Sequence, residues 1–373
     1  MTIYGIGRAI VDYFVEGRID KRFMERAFGQ LSEDSLPSPT GRPIHVEGAA
    51  FSFVLSQIST LDGYNLIKET GGTCVNILKT IATIHPQFRL HFSGTVGNIP
   101  HSLPPQADED GTFFCHQMES LGIHHQLRVV PGNTGHCLVL AGEKQGWLAL
   151  ASPSVAPDFT PDQVQAFLQT VAVAHSQSSP DALVLVEGME LEKQWFCHQL
   201  CSAQLPLVLA CGTPFGAKMT ARFLHGVFLQ DELLQEHTMQ EKPCPVKLVL
   251  ANDLEARILE AATIDFAEWS SKYHILFVIT HGCGGSSCYF HGERIFVPAI
   301  EVAPEQIIDA TGAGDVFAGA FLSQLAEQLI SDQLTTEKIM AAMESASKTA
   351  SKIIQVPLCQ LAQLHQTGAL VKD

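Results

Sequence analysis

The chain lacks any apolar run of about 18 residues, so no bilayer-spanning helix is expected from it. It also lacks positive charge. Its 23 lysines and arginines are set against 39 aspartates and glutamates, a formal net charge of −16. A basic footprint is missing, which argues against nucleic acid as a partner. Ten cysteines are scattered along the chain, none in C-x-x-C spacing, and Cys197 with Cys201 has the wrong neighbours for a zinc site. Reduced thiols in a cytoplasmic protein are the simplest reading. The opening residues, MTIYGIGRAIVDYFVEG, have neither the positive n-region nor the continuous apolar h-region of a signal peptide. No G-x-G-x-x-G follows the first strand in the dinucleotide register, which argues against a phosphate-binding oxidoreductase.

What is present is core. Hydrophobic residues make up 46% of 373, enough for one large α/β domain with an accessory element. From Asp181 onward apolar strands alternate with helices: DALVLVEGM, then LEKQWFCHQLCSAQ, then PLVLACGTPF with a turn at Thr-Pro-Phe, then a helix at KMTARFL, then VKLVLANDLEARILEAA. Strands this apolar imply a parallel sheet covered on both faces. Earlier, IDKRFMERAFG has the spacing of a short amphipathic helix, LPSPTGRP reads as a loop, and HVEGAAFSFVLSQIS fits strand or helix. GTFFCHQMESLGI is a helix by its periodicity, and NTGHCLVLAGEKQGWLALASPSVA a hairpin turning between Gly142 and Gly146. The C-terminal QLAQLHQTGALVKD reads as a tail.

The stretch that organises the chain is Asp309 to Leu322, DATGAGDVFAGAFL. Three small residues, Gly312, Ala313 and Gly314, precede Asp315 and an apolar run, so a tight turn should lead into a helix with Asp315 in its first turn. A helix N-terminus presents unpaired N–H groups and the positive end of the dipole, which attract anions. A carboxylate beside such an anion hole repels phosphate but suits a base that takes a proton from an attacking hydroxyl. An aspartate in a first helical turn is also an ordinary structural choice.

Four further stretches carry chemistry. Within the alternating stretch Ile3 to Val15, Asp12 comes after Gly5 and Gly7, a common site position in α/β folds. Gly71 and Gly72 precede Asn76 in ETGGTCVNILKTIATI, where paired glycines let the backbone turn and approach a ligand. Asn252 and Glu255 sit three apart where a strand enters a helix, which fits both a shared site and a capping box. Thr280, Gly282 and Gly285 form a glycine turn after the strand HILFVIT.

Together these motifs resemble the ribokinase (PfkB) family of ATP-dependent sugar and nucleoside kinases. DATGAGDVFAGAFL is similar to its C-terminal signature, and GGTCVN, the Asp-Lys-x-Phe stretch near Lys21 and the Thr-Pro-Phe turn look closest to the adenosine-kinase branch. The resemblance implies a three-layer α/β/α domain over 1–373, with a small β-rich lid formed by about 13–70 and 133–151. It implies phosphoryl transfer from ATP to a hydroxymethyl group of an adenosine-like nucleoside, or of a free sugar such as ribose, fructose or 2-keto-3-deoxygluconate. A catalytically silent nucleotide- or sugar-binding member is the remaining alternative.

The same resemblance implies residue roles. Asp315 is the general base, with the backbone of Gly312, Ala313 and Gly314 as anion hole. Asp12, Gly71, Gly72 and Asn76 hold the acceptor. Asn252, Thr280, Gly282, Gly285 and Ser347, with Ala350 beside it, line the ATP site. Glu255 serves Mg²⁺ through water, and Asp309 and Thr311 a monovalent cation such as K⁺. Three positions depart from the pattern: Asn98 where an acidic residue is usual, Gln145 where an arginine often stands, and His281 where an apolar residue is usual. Trp147 fits either lid packing or a cover over substrate. A small molecule is the expected partner, and both monomer and homodimer fit.

Overall fold

A computed structural model describes residues 1–17, 19, 21–29, 43–142, 146–152, 164–171, 182–188, 191–234 and 245–356. In chain order the strands are β1 (Thr2–Ile6), β2 (Ile10–Glu16), β3 (Pro43–His45), β4 (Asn65–Gly71), β5 (Arg89–Gly97), β6 (Ile123–Val130), β7 (Gly135–Gly142), β8 (Gly146–Ser152), β9 (Ala182–Glu187), β10 (Leu207–Ala210), β11 (Val246–Asn252), β12 (Leu276–Thr280), β13 (Ser286–Phe290) and β14 (Glu293–Val297). The helices are α1 (Lys21–Phe28), α2 (Gly48–Ser59), α3 (Thr73–Ile84), α4 (Glu109–Ser120), α5 (164–171), α6 (Leu191–Ser202), α7 (Pro214–Leu234), α8 (Asp253–Ala261), α9 (Phe266–Tyr273), α10 (Ala313–Ser331) and α11 (Thr336–Ile353).

Nine strands form one sheet in the order β14-β13-β12-β11-β10-β9-β1-β5-β6. From β12 to β6 every pairing is parallel, and β13 and β14 add an antiparallel edge. Alternation along β9 shows why the strands are so apolar. Leu183 and Leu185 join the core formed with α3, α10 and α11, while Val184 and Val186 join the core formed with α5 to α9. A strand buried on both faces has no solvent side to mark with polar residues.

A second sheet of five strands has the order β3-β8-β7-β2-β4. Asp110 of α4 ties it to the main body. Its carboxylate accepts from the Tyr13 hydroxyl at 2.8 Å and Lys68 Nζ at 3.0 Å, and pairs with His136 Nε2 at 2.6 Å. Burial alone would raise the Asp110 pKa, but these three partners hold it well below the usual carboxylate range.

Three readings of the sequence change here. The stretch Ile3–Val15 is two strands in different sheets, so Asp12 stands in the smaller sheet, with Glu69 and Cys137 as its register partners. There is no room for a side chain at either glycine: Gly5 lies against Cys74 and Leu78, and Gly7 against Glu187 and Cys74. The ambiguous segment HVEGAAFSFVLSQIS is helix α2 from Gly48 on, with only His45 belonging to β3. The helix expected at KMTARFL begins earlier, at Pro214. Proline is favoured at a first helical position, and the Thr213 hydroxyl caps that turn by accepting from Gly216 N at 2.9 Å. The C-terminal tail, Trp147's side chain, Gln145 and most of the LPSPTGRP loop lie outside what is described.

Candidate active site

The carboxyl ends of β9 to β12, the N-termini of α3, α8 and α10, and the inner face of the smaller sheet converge. There a cavity of about 90 Å³ is lined by Thr73, Gly212, Asn252, Glu255, Thr280, Gly314 and Asp315 among others. It adjoins an open cleft of about 1000 Å³ whose walls include Gly282, Gly285, Ala313, Ser347 and Ala350. Asn252, Thr280, Gly314 and Phe317 border both spaces and form the neck between them.

Asp315 is the third residue of α10. Gly312 stands at the N-cap with φ 71°, a left-handed conformation that glycine adopts freely, and no side chain caps the helix. First-turn N–H groups have no intrahelical partner; here Ala313 N turns back to donate to Ala310 O at 3.3 Å, and Gly314 borders the neck. Asn76 Nδ2 donates to Asp315 Oδ2 at 2.9 Å, and Thr73 lines the same cavity. Burial raises the Asp315 pKa to about 6, opposed first by the Asn76 amide and reinforced by the charge of Glu187, with nearby Thr73 lowering it further.

Asp12 lies nearby. Burial pushes it to about 7, with Lys79 lowering it and Glu69, Asp315 and Glu187 raising it. A Cβ on Gly71 would fall 2.0 Å from Asp12 Oδ2, so that glycine is required by the close approach of the carboxylate. Gly72 is the N-cap of α3, which also lacks a side-chain cap. Asn76 thus bonds Asp315 directly, Asp12 feels its charge, and Gly71 lies against Asp12. Phe14, Ile67, Cys137 and Val139 on the same face of the smaller sheet pack against Ala313, Val316, Ile353 and Ile354.

Asn252 and Glu255 form a full capping box: Asn252 Oδ1 accepts from Glu255 N, and Glu255 Oε2 accepts from Asn252 N, both at 3.0 Å. Glu255 is buried and raised to about 7, by desolvation first and the Asp315 charge next. The capping box and a place in the site coexist. Thr280 ends β12, and the Gly282–Gly284 turn carries the chain over the cleft. Ser347 and Ala350 form part of its far wall on α11. Asp309 is buried and accepts from Thr311 N at 2.9 Å. The buried Thr311 Oγ1 has no hydrogen-bond partner among the described residues.

Two groups escaped the sequence reading. Glu187 ends β9, buried, and accepts from Cys74 N at 3.0 Å in the first turn of α3. A carboxylate closing an otherwise continuous apolar strand was the available signal. Lys79 is fully buried on α3; its Nζ reaches Glu69 Oε1 at 2.9 Å and the carbonyl of Thr70. A lysine at the buried spacing of an apolar helix was the signal there.

Residues 221–366 match the family model described as pfkB family carbohydrate kinase. Over 114 residues the chain is 33% identical to a cytidine kinase of Thermococcus kodakarensis. That match takes in 29% of this chain and 39% of the relative's length. Adenosine kinase of Anopheles gambiae, solved with P1,P4-di(adenosine-5) tetraphosphate, superposes with a TM-score of 0.67 at 20% identity, covering 96% of this chain and 97% of that one. A probable sugar kinase of Rhizobium etli gives 0.65 at 18% identity, with 99% and 98% covered.

Proposed function

We propose that this chain, whose residues 221–366 match the pfkB family carbohydrate kinase model, transfers the γ-phosphoryl group of ATP to a hydroxymethyl group of a nucleoside. The observation that carries the reading is the position of Asp315. Its carboxylate stands at the uncapped N-terminus of α10, oriented by Asn76, at the neck between a small cavity and a long cleft.

On this reading ATP lies in the cleft with its base toward Ser347 and Ala350 and its phosphates toward the neck. Asp12, with Gly71, Gly72 and Asn76, holds the acceptor. Asp315 is ionised above about pH 6 and takes the proton as the hydroxyl attacks. The N–H groups from Gly312 to Gly314 receive the charge that spreads over the transferred group. The smaller sheet, drawn from about 13–70 and 133–151, is the lid that excludes water as a competing acceptor.

The residues fit the ions the reading needs. Glu255 is a buried carboxylate lining the small cavity, with one oxygen committed to its cap, which suits Mg²⁺ held through water. Bound there, Mg²⁺ would neutralise phosphate charge in a site whose lining has no lysine or arginine among the described residues. Near Asp309, the partnerless Thr311 Oγ1 is a buried oxygen donor of the kind that suits K⁺.

The 33% identity to a cytidine kinase over 114 residues supports a nucleoside as the acceptor. The test is ATP-to-ADP turnover with Mg²⁺ and K⁺ against adenosine, cytidine, other nucleosides, ribose, fructose and 2-keto-3-deoxygluconate, with the phosphorylated product identified. A nucleoside 5′-phosphate is expected. A sugar phosphate instead would move the acceptor class. Nucleotide binding without turnover of any acceptor would replace the kinase by the silent-binder reading.

A further inference from the structure

Asn252 and Thr280 are the last register partners of the β11–β12 ladder. Both also border the neck. Beyond them the two chains diverge, one into α8 and the other into the glycine turn. The next residues along, Asp253 and His281, meet through side chains: His281 Nδ1 lies 2.5 Å from Asp253 Oδ1. The backbone of His281 also closes the turn, donating to Gly285 O at 2.8 Å and accepting from Gly284 N at 3.0 Å.

The tautomer follows from the other side of the ring. Ser287 Oγ lies 2.8 Å from His281 Nε2 and receives Arg294 Nε at 3.1 Å and Nη2 at 2.8 Å. A guanidinium only donates, so the serine oxygen accepts from Arg294 and its hydrogen goes to Nε2. Nδ1 therefore carries the proton and donates to Asp253. Ser287 is 1% exposed, whereas the Asp253 side chain is 52% exposed. The relay thus runs from a buried anchor in β13 out to the exposed side chain at the first turn of α8.

We infer that His281 is a positioning residue for the phosphoryl donor. It replaces the missing rung after Asn252 and Thr280, fixing the width of the neck and making the α8 cap and the glycine turn move as one body. An apolar side chain at this position could not form the rung. The inference rests on the kinase reading above, and its test separates the two.

Donor and acceptor KM, kcat and Mg·ADP binding by calorimetry would be measured for wild type, H281L, H281N, D253A and D253A/H281L. H281L and D253A should each raise donor KM and the ADP Kd roughly tenfold, with kcat changed less than about threefold and acceptor KM unmoved. H281N, which keeps a donor for Asp253, should recover most of the loss. The double variant should be no worse than either single one. Should H281L fail to fold, D253A alone carries the test, because Asp253 is at the surface. Unchanged donor KM, an equal fall in kcat and both KM-based efficiencies, or additive losses in the double variant would overturn the inference while leaving the kinase intact. A wild type that neither binds Mg·ADP nor turns over ATP would overturn both.

Discussion

Asn76 and Asp315, 239 residues apart in the chain, are joined by a 2.9 Å bond from the Asn76 amide to the Asp315 carboxylate. The bond brings the first turn of α3 to the first turn of α10 and stabilises the charged form of Asp315. Removing it with Asn76→Ala should raise the Asp315 pKa above about 6 and shift the acid limb of the pH–rate profile upward. A pH series of kcat/KM for wild type and Asn76→Ala checks this, and an unmoved limb would contradict it.

The same carboxylate makes a stability prediction of definite sign. The folded pKa of Asp315 lies above its unfolded value near 3.8. Its contribution to stability is therefore full below about pH 4 and is lost as pH rises through about 6. Asp315→Asn should raise the melting temperature at pH 8, by on the order of 1–3 kcal/mol of stability, and do little at pH 4. Thermal scans at the two pH values decide it.

The buried pair of Lys79 and Glu69 supports Asp12. Lys79→Met would strand Glu69 in the interior and should cost about 3–5 kcal/mol in urea unfolding. It would also remove the cation that lowers Asp12, so acceptor KM near pH 7 should rise in the variant. Lys79→Met with Glu69→Leu also removes the opposing Glu69 charge, so it should recover much of the stability and most of the acceptor affinity.

Gly71→Ala tests the acceptor side alone. The new Cβ would occupy the space of the Asp12 carboxylate. Acceptor KM should rise roughly tenfold or more, as expected for a lost hydrogen bond to a charged group of about 1.5–3 kcal/mol, with ADP binding retained in calorimetry.

The parts of this molecule that were legible in its sequence are those fixed by local chemistry. The apolar strand ALVLVE, the hairpin glycines 142 and 146, the Asn252–Glu255 box and the GAGD turn each carry their instruction within a few residues. What could not be read there depends on distant partners. Nothing near Asp12 says that its strand leaves the main sheet, because that is decided by pairing with Lys68 to Gly71 and with Gly135 to Val139. Glu187 looked like a strand end until α3 was placed over it, and His281 acquires a purpose only when Asp253 and Ser287 are beside it. The start of α7 was misplaced for a local reason: Thr-Pro was read as a turn although it is also a good first turn of a helix.

The most direct test of the central claim is the rate of ATP-dependent phosphorylation of the preferred acceptor by wild type and Asp315→Asn, each shown to be folded and to bind Mg·ADP. If Asp315 is the base, kcat should fall about 10²- to 10⁴-fold with nucleotide binding retained. A variant that keeps its rate would contradict the account.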